Sequence, residues 1–90
     1  MTESWRILVK GRVQGVCFRA NTQKQAVKLN LSGFVRNLPD GQVEIFASGD
    51  SEALRQLVAW CRKGPILAKV TDVIVSPYNA GEIWIDFAIR

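Results

Sequence analysis

An α+β sandwich is the fold class that this 90-residue sequence predicts, and three features of its hydrophobic patterning point to it. Apolar residues alternate with period two at residues 5–10 and again at 82–90, as strands do. An apolar stripe at spacings of three and four runs through residues 54–61, as on a helix packed by one side. The two kinds of pattern follow one another as strand, helix, strand, strand, helix, strand, strand, an order that builds a sheet covered by helices. Ninety residues suffice for one core and are too few for two, so one domain over residues 1–90 is expected. A hydrophobic share of 48% against 22% charged places the chain with globular proteins rather than disordered tails.

The first strand rests on Trp5, Ile7 and Val9 alternating with Arg6, Leu8 and Lys10, and Gly11 breaks the run. Residues 19–29 are mostly tolerable helix formers, with Thr22, Ala26 and Leu29 on one side. Asn30 follows, and Asn is the best substitute for Gly where a helix ends in a left-handed residue. Two extended runs, 34–38 and 42–47, are joined by Pro39, Asp40 and Gly41, residue types that suit a tight turn between antiparallel strands. Gly49 and Asp50 are read as capping the second helix, on which Leu54, Leu57, Val58 and Cys61 form the clearest stripe before Gly64 and Pro65 stop it. Residues 69–76 and 82–90 read as the last two strands. In the final one Ile83, Ile85, Phe87 and Ile89 are expected on the core face. The whole is a ferredoxin-like two-layer sandwich: a βαββαβ core and a further C-terminal strand, the sheet mostly antiparallel with both helices on one face.

Composition narrows the chemistry. Histidine is absent, which removes the commonest general base and metal ligand, and no metal or other cofactor is expected. The two cysteines, Cys17 and Cys61, are too few for a disulfide framework and are read as reduced thiols. No apolar run approaches the roughly 18 residues that cross a bilayer, and the N-terminus lacks a signal-peptide core, so a cytoplasmic protein without a membrane partner is expected. Residues 1–38 carry seven basic side chains against one acidic, a surplus of +6, whereas residues 39–90 carry five against seven, a balance of −2. The first half is therefore expected to meet something anionic, either a phosphorylated metabolite or a nucleic acid backbone.

The segment GRVQGVCFR, residues 11–19, joins the first strand to the first helix and contains two glycines, two arginines and no acid. Gly15 can adopt angles closed to other residues, so successive amide N–H groups can turn toward an oxyanion at the positive end of the helix. The guanidinium of Arg19 can grip two phosphoryl oxygens at once. On residue types alone, an ordinary strand-to-helix turn with an exposed arginine fits equally well. A Walker A loop is excluded by spacing, because neither Gly11 nor Gly15 is followed correctly. A cysteine phosphatase is also disfavoured: Cys17 and Arg19 are too close to wrap a phosphate, and no histidine supports a thiolate. Cys17 is read as structural. In the second segment, GFVRNLPDGQVEIFASG, residues 33–49, Asn37 ends a strand and taken alone reads as a turn-forming asparagine; its amide could also orient a nucleophilic water.

Together the two segments resemble the two signatures of the acylphosphatase family, in the family's order, and the resemblance covers nearly the whole chain. It implies hydrolysis of acyl phosphates. It also implies that Arg19 is the phosphate-binding catalytic arginine, that Asn37 positions water, and that Gln14, Gly15, Val16, Cys17 and Phe18 form the loop whose amides share the phosphate with Arg19. Asn30 and Cys17 stand where many relatives have Gly, and both replacements are compatible with the pattern. The chemistry suits the inventory, since the departing carboxylate derives from an acid of pKa about 4.3 and needs no proton. The expected partner is a small acyl phosphate or inorganic phosphate, bound by a monomer. An RNA-recognition module is the rival class, but neither GQVEIFASG nor WRILVKG matches its Lys/Arg-Gly-aromatic run, so no nucleic acid partner is expected. A third reading is the acylphosphatase-like module of larger carbamoyl-transfer proteins. Those continue into zinc-finger and transferase regions, and this sequence has no metal-ligand cluster.

Overall fold

The computed structural model describes residues 2–79, 81 and 83–90. In chain order the elements are β1 (Thr2–Arg12), α1 (Phe18–Lys28), β2 (Ser32–Asn37), β3 (Val43–Asp50), α2 (Ser51–Lys63), β4 (Lys69–Pro77) and β5 (Phe87–Ile89). The strands make one sheet in the order β4-β1-β3-β2-β5, antiparallel throughout except that β5 runs parallel to β2. Because β3 lies between β1 and β2, the β1-α1-β2 crossover leaves room for a third strand, the split arrangement of the ferredoxin-like sandwich. Among the described residues no helix is long and apolar enough to cross a membrane.

One core lies between the sheet and both helices. Ile7, Val9, Val35, Val43, Ile45 and Val73 face it from the strands, and Phe18, Ala26, Leu54, Leu57, Val58 and Cys61 from the helices. The stripe on α2 is fully apolar. On α1 it includes Thr22, whose hydroxyl donates to the Phe18 carbonyl at 2.8 Å, so that a buried polar group is satisfied inside the helix. Asn30 stands in the left-handed region at φ 59°, as its place in the sequence predicts. The Leu31 N–H reaches the Ala26 carbonyl at 2.9 Å and the Asn30 N–H reaches Val27 at 3.1 Å, the paired bonds of a Schellman ending that turns the chain into β2.

The other sheet face holds aromatic rings and a charged cluster. Glu44, only 3% exposed, is held between Arg6 and Arg36, each at 2.6 Å. Phe34 and Phe46 pack at 4.9 Å between ring centres, Trp84 and Tyr78 lie over them, and the Arg90 guanidinium sits 4.1 Å from the Phe34 ring centre.

Most boundaries shift by a residue or more from the sequence reading, and β1, expected to break at Gly11, runs through it to Arg12 with a register shift between Lys10 and Gly11. Strand β1 extends to Thr2 because β3 runs on to Asp50 and supplies partners as far as the Thr2–Asp50 pair. Gly49 is consequently a strand residue, and Asp50 alone holds the N-cap position of α2. The largest difference is in the last strand. Only residues 87–89 pair, and of the four side chains expected in the core only Phe87 is buried: Ile83 and Ile85 are each 93% exposed and Ile89 is 42% exposed. The neighbour explains this: β2 offers Gly33, Phe34 and Val35, and the chain before Ser32 is already committed to the end of α1. The Asp86 carbonyl still accepts the Gly33 N–H at 2.8 Å, but before it residues 83–85 are outside the pairing, and Trp84 turns onto the aromatic face instead. The expected start of that strand, Glu82, lies outside the described residues.

Candidate active site

The loop between β1 and α1 is shaped by alternate anchoring. Val13 and Val16 are buried in the core, which fixes the loop at two points. Between and after them, Gly15 (φ 75°) and Cys17 (φ 63°, ψ 24°) take left-handed angles. The space where a Gly15 side chain would stand is empty, so glycine is favoured there by the backbone angle rather than by crowding. Among the described residues no main-chain carbonyl accepts the N–H groups of Gly15, Val16, Cys17 or Phe18. Amides in this arrangement, at the positive end of an 11-residue helix, form a concavity suited to an anion.

Cys17 is the N-cap of α1, and no acidic residue stands in the first turn to compensate the helix end. Arg19, the second helical residue, is there instead. Asn37 arrives from another direction, as the last residue of β2, paired with Val43. The turn beyond it is closed by Leu38 N–H to the Gln42 carbonyl at 2.9 Å and by Asp40 accepting from the Gln42 N–H at 3.0 Å. The Asn37 Oδ1 is buried and has no hydrogen-bond partner among the described residues. A buried acceptor of this kind costs stability unless something donates to it.

These residues meet in a cleft of about 360 Å³ lined by Val13, Gly15, Cys17, Phe18, Arg19, Ala20, Asn37 and Ile89. Of the residues singled out in the sequence, the structure brings Gly15, Cys17, Phe18, Arg19 and Asn37 to its wall. Two others do not line it. Val16 points into the core, and the Gln14 side chain turns to the hairpin, its Nε2 donating to the carbonyls of Leu38 and Gln42 at 2.8 Å each. Three wall residues were not singled out: Val13 and Ala20, which flank the loop, and Ile89, which β5 delivers beside Val35, two residues before Asn37. Neighbours of a signature are an available signal for the first two. Nothing local marks Ile89.

Among the described residues the cleft wall holds one arginine and no carboxylate. Asp40 is engaged in its turn, and Glu44 is pinned between two arginines on the opposite sheet face. The two thiols differ sharply. Cys17 is exposed at the cleft, whereas burial pushes the Cys61 thiol up to about 12, Arg62 offsetting only part of the effect.

Comparison with known proteins points to one family. The acylphosphatase family model matches residues 5–89. The acylphosphatase of Methylococcus capsulatus is 49% identical over 83 residues, covering 92% of this chain and 90% of that protein. Among solved structures, the Bacillus subtilis acylphosphatase superposes with a TM-score of 0.93 at 42% identity, covering 100% of this chain and 99% of that one. The Coxiella burnetii acylphosphatase gives 0.94 at 36%, covering 99% and 93%. With a family match across nearly its whole length and relatives of this identity and coverage, the chain belongs to the acylphosphatase family, hydrolases that act on small acyl phosphates.

Proposed function

We propose that Arg19 and the main-chain amides of residues 14–18 hold the phosphoryl group of an acyl phosphate while Asn37 orients the water that attacks it. The observation that carries this reading is the meeting of Arg19, the left-handed loop and Asn37 in one cleft, with no carboxylate among the described residues that line it. Arg19 and the loop amides stabilise charge on the phosphoryl oxygens as the bond to the acyl oxygen lengthens. The Asn37 carboxamide hydrogen-bonds to the water and so fixes its lone pair in line. The water oxygen bonds to phosphorus, the P–O bond to the acyl group breaks, and its electron pair leaves with the carboxylate. The proton released by the water goes to a phosphate oxygen, giving inorganic phosphate; no described residue of the cleft wall supplies another base.

Hydrolysis of benzoyl phosphate by the wild type, Arg19→Ala and Asn37→Ala tests these roles. Arg19→Ala is expected to lose both inhibition by inorganic phosphate and turnover, with kcat down about 10²–10³-fold, the scale of losing one oxyanion donor. Asn37→Ala is expected to lose turnover while inorganic phosphate still inhibits. An inactive wild type, or equal loss of phosphate inhibition in both variants, overturns the reading.

A further inference from the structure

The two halves of the cleft belong to different elements, and the Gln14 side chain joins them. The phosphate loop is anchored to the core by Val13 and Val16, while Asn37 stands on the β2–β3 hairpin. Between these anchors, Gln14 Nε2 donates to Leu38 O and to Gln42 O, both at 2.8 Å. These carbonyls flank the turn that follows Asn37, and Gln42 O also accepts the Leu38 N–H that closes it. Each amide hydrogen of Gln14 thus has its own acceptor, and both acceptors lie within five residues of Asn37.

We infer that Gln14 is a positioning residue for water activation: its carboxamide sets the distance between the phosphate held by the loop and the water held by Asn37. The inference rests on the roles proposed above for the loop and Asn37. Arg19 and the loop amides keep their own supports when Gln14 is altered, so phosphate affinity survives. What is lost is registration of the hairpin against the loop, and displacements of an ångström between reacting groups cost turnover rather than binding.

The test is kcat for benzoyl phosphate and the inhibition constant for inorganic phosphate, measured on wild type, Gln14→Met, Asn37→Ala and the double variant. Methionine keeps the side-chain length without the two donors. The expected result for Gln14→Met is a fall in kcat of about tenfold or more, with phosphate inhibition within about threefold of wild type. In the Asn37→Ala background the same substitution is expected to change kcat by less than about twofold, because its effect runs through Asn37. An unchanged kcat, a proportional weakening of phosphate inhibition, or a full additional loss in the double variant overturns the inference. An inactive wild type or a fully active Asn37→Ala instead sinks the reading beneath it. Gln14→Glu supplies an arm independent of folding yield. At neutral pH its carboxylate faces two carbonyl oxygens and kcat, normalised to folded protein, is expected to be low. As pH falls and the carboxyl gains a proton it can donate again, so kcat relative to wild type is expected to recover. A ratio that stays flat with pH contradicts a donor role.

Discussion

The two helices of this fold follow opposite rules, and the contrast locates the site. Helix α2 is built as an isolated helix would wish to be. Asp50 stands at its N-cap, Glu52 in its first turn, Arg62 and Lys63 in its last, and an unbroken stripe of Leu54, Leu57, Val58 and Cys61 is buried beneath it. Each charge complements the helix dipole. Helix α1 departs from every one of these features at its start: a left-handed cysteine is its N-cap, its first turn has no acid, and Arg19 adds positive charge to a positive end. Its buried side is a sparser row of Phe18, Thr22 and Ala26 and includes a threonine. The departures coincide with the cleft wall. A helix end left electrostatically uncompensated is a poor element of stability and a good seat for a phosphoryl group.

The sharpest way to break this comparison is to exchange the penalties. Leu57→Ala on α2 is expected to cost about 2–5 kcal/mol in urea unfolding while leaving kcat per folded molecule unchanged. Arg19→Ala is expected to change stability by less than about 0.5 kcal/mol, in contrast to its loss of turnover. If Leu57→Ala altered phosphate inhibition, the division between a supporting and a working helix would fail.

The next effect in size concerns pH. The Cys61 thiol is pushed from 9.0 to about 12 in the folded state. Below pH 9 the thiol is neutral whether folded or unfolded, and its contribution is fully present. Above pH 9 the unfolded chain ionises first, so stability falls with rising pH until the folded thiol also ionises. At about 1.4 kcal/mol per unit once the unfolded thiol is ionised, wild type is expected to lose about 2 kcal/mol more than Cys61→Ala between pH 9 and 11. Parallel curves for the two proteins would show that α2 is less tightly sealed than its stripe indicates. The smallest effect is the most instructive. Ala20→Glu places an acid in the first turn of α1, beside the cleft, and is expected to stabilise the helix by about 0.3–1 kcal/mol while weakening inhibition by phosphate. Stabilisation without weaker phosphate inhibition would separate the helix dipole from the anion site.

The contrast between the helices was only half visible in the sequence. The α2 stripe and the turn at Asn30 were legible because both depend on residues adjacent along the chain. The last strand was not. Its alternation from Ile83 to Ile89 has the correct period, but whether such a run becomes a strand depends on how much of β2 lies beside it, and β2 offers three residues. The site followed the same division. Arg19 and Asn37 could be picked out by motif resemblance, but their meeting in one cleft depends on the β1-α1-β2 crossover, and Ile89 joins them only because β5 returns parallel to β2.

The cleft draws its wall from positions as distant as Val13 and Ile89, almost the full length of the chain. This span makes catalysis a clock for refolding. Local structure such as α2 can form before distant segments meet, whereas the site exists only after the C-terminal strand has docked beside β2. In a refolding experiment the return of hydrolysis therefore marks the closing of the longest loops, and it is expected to lag the return of helical circular dichroism.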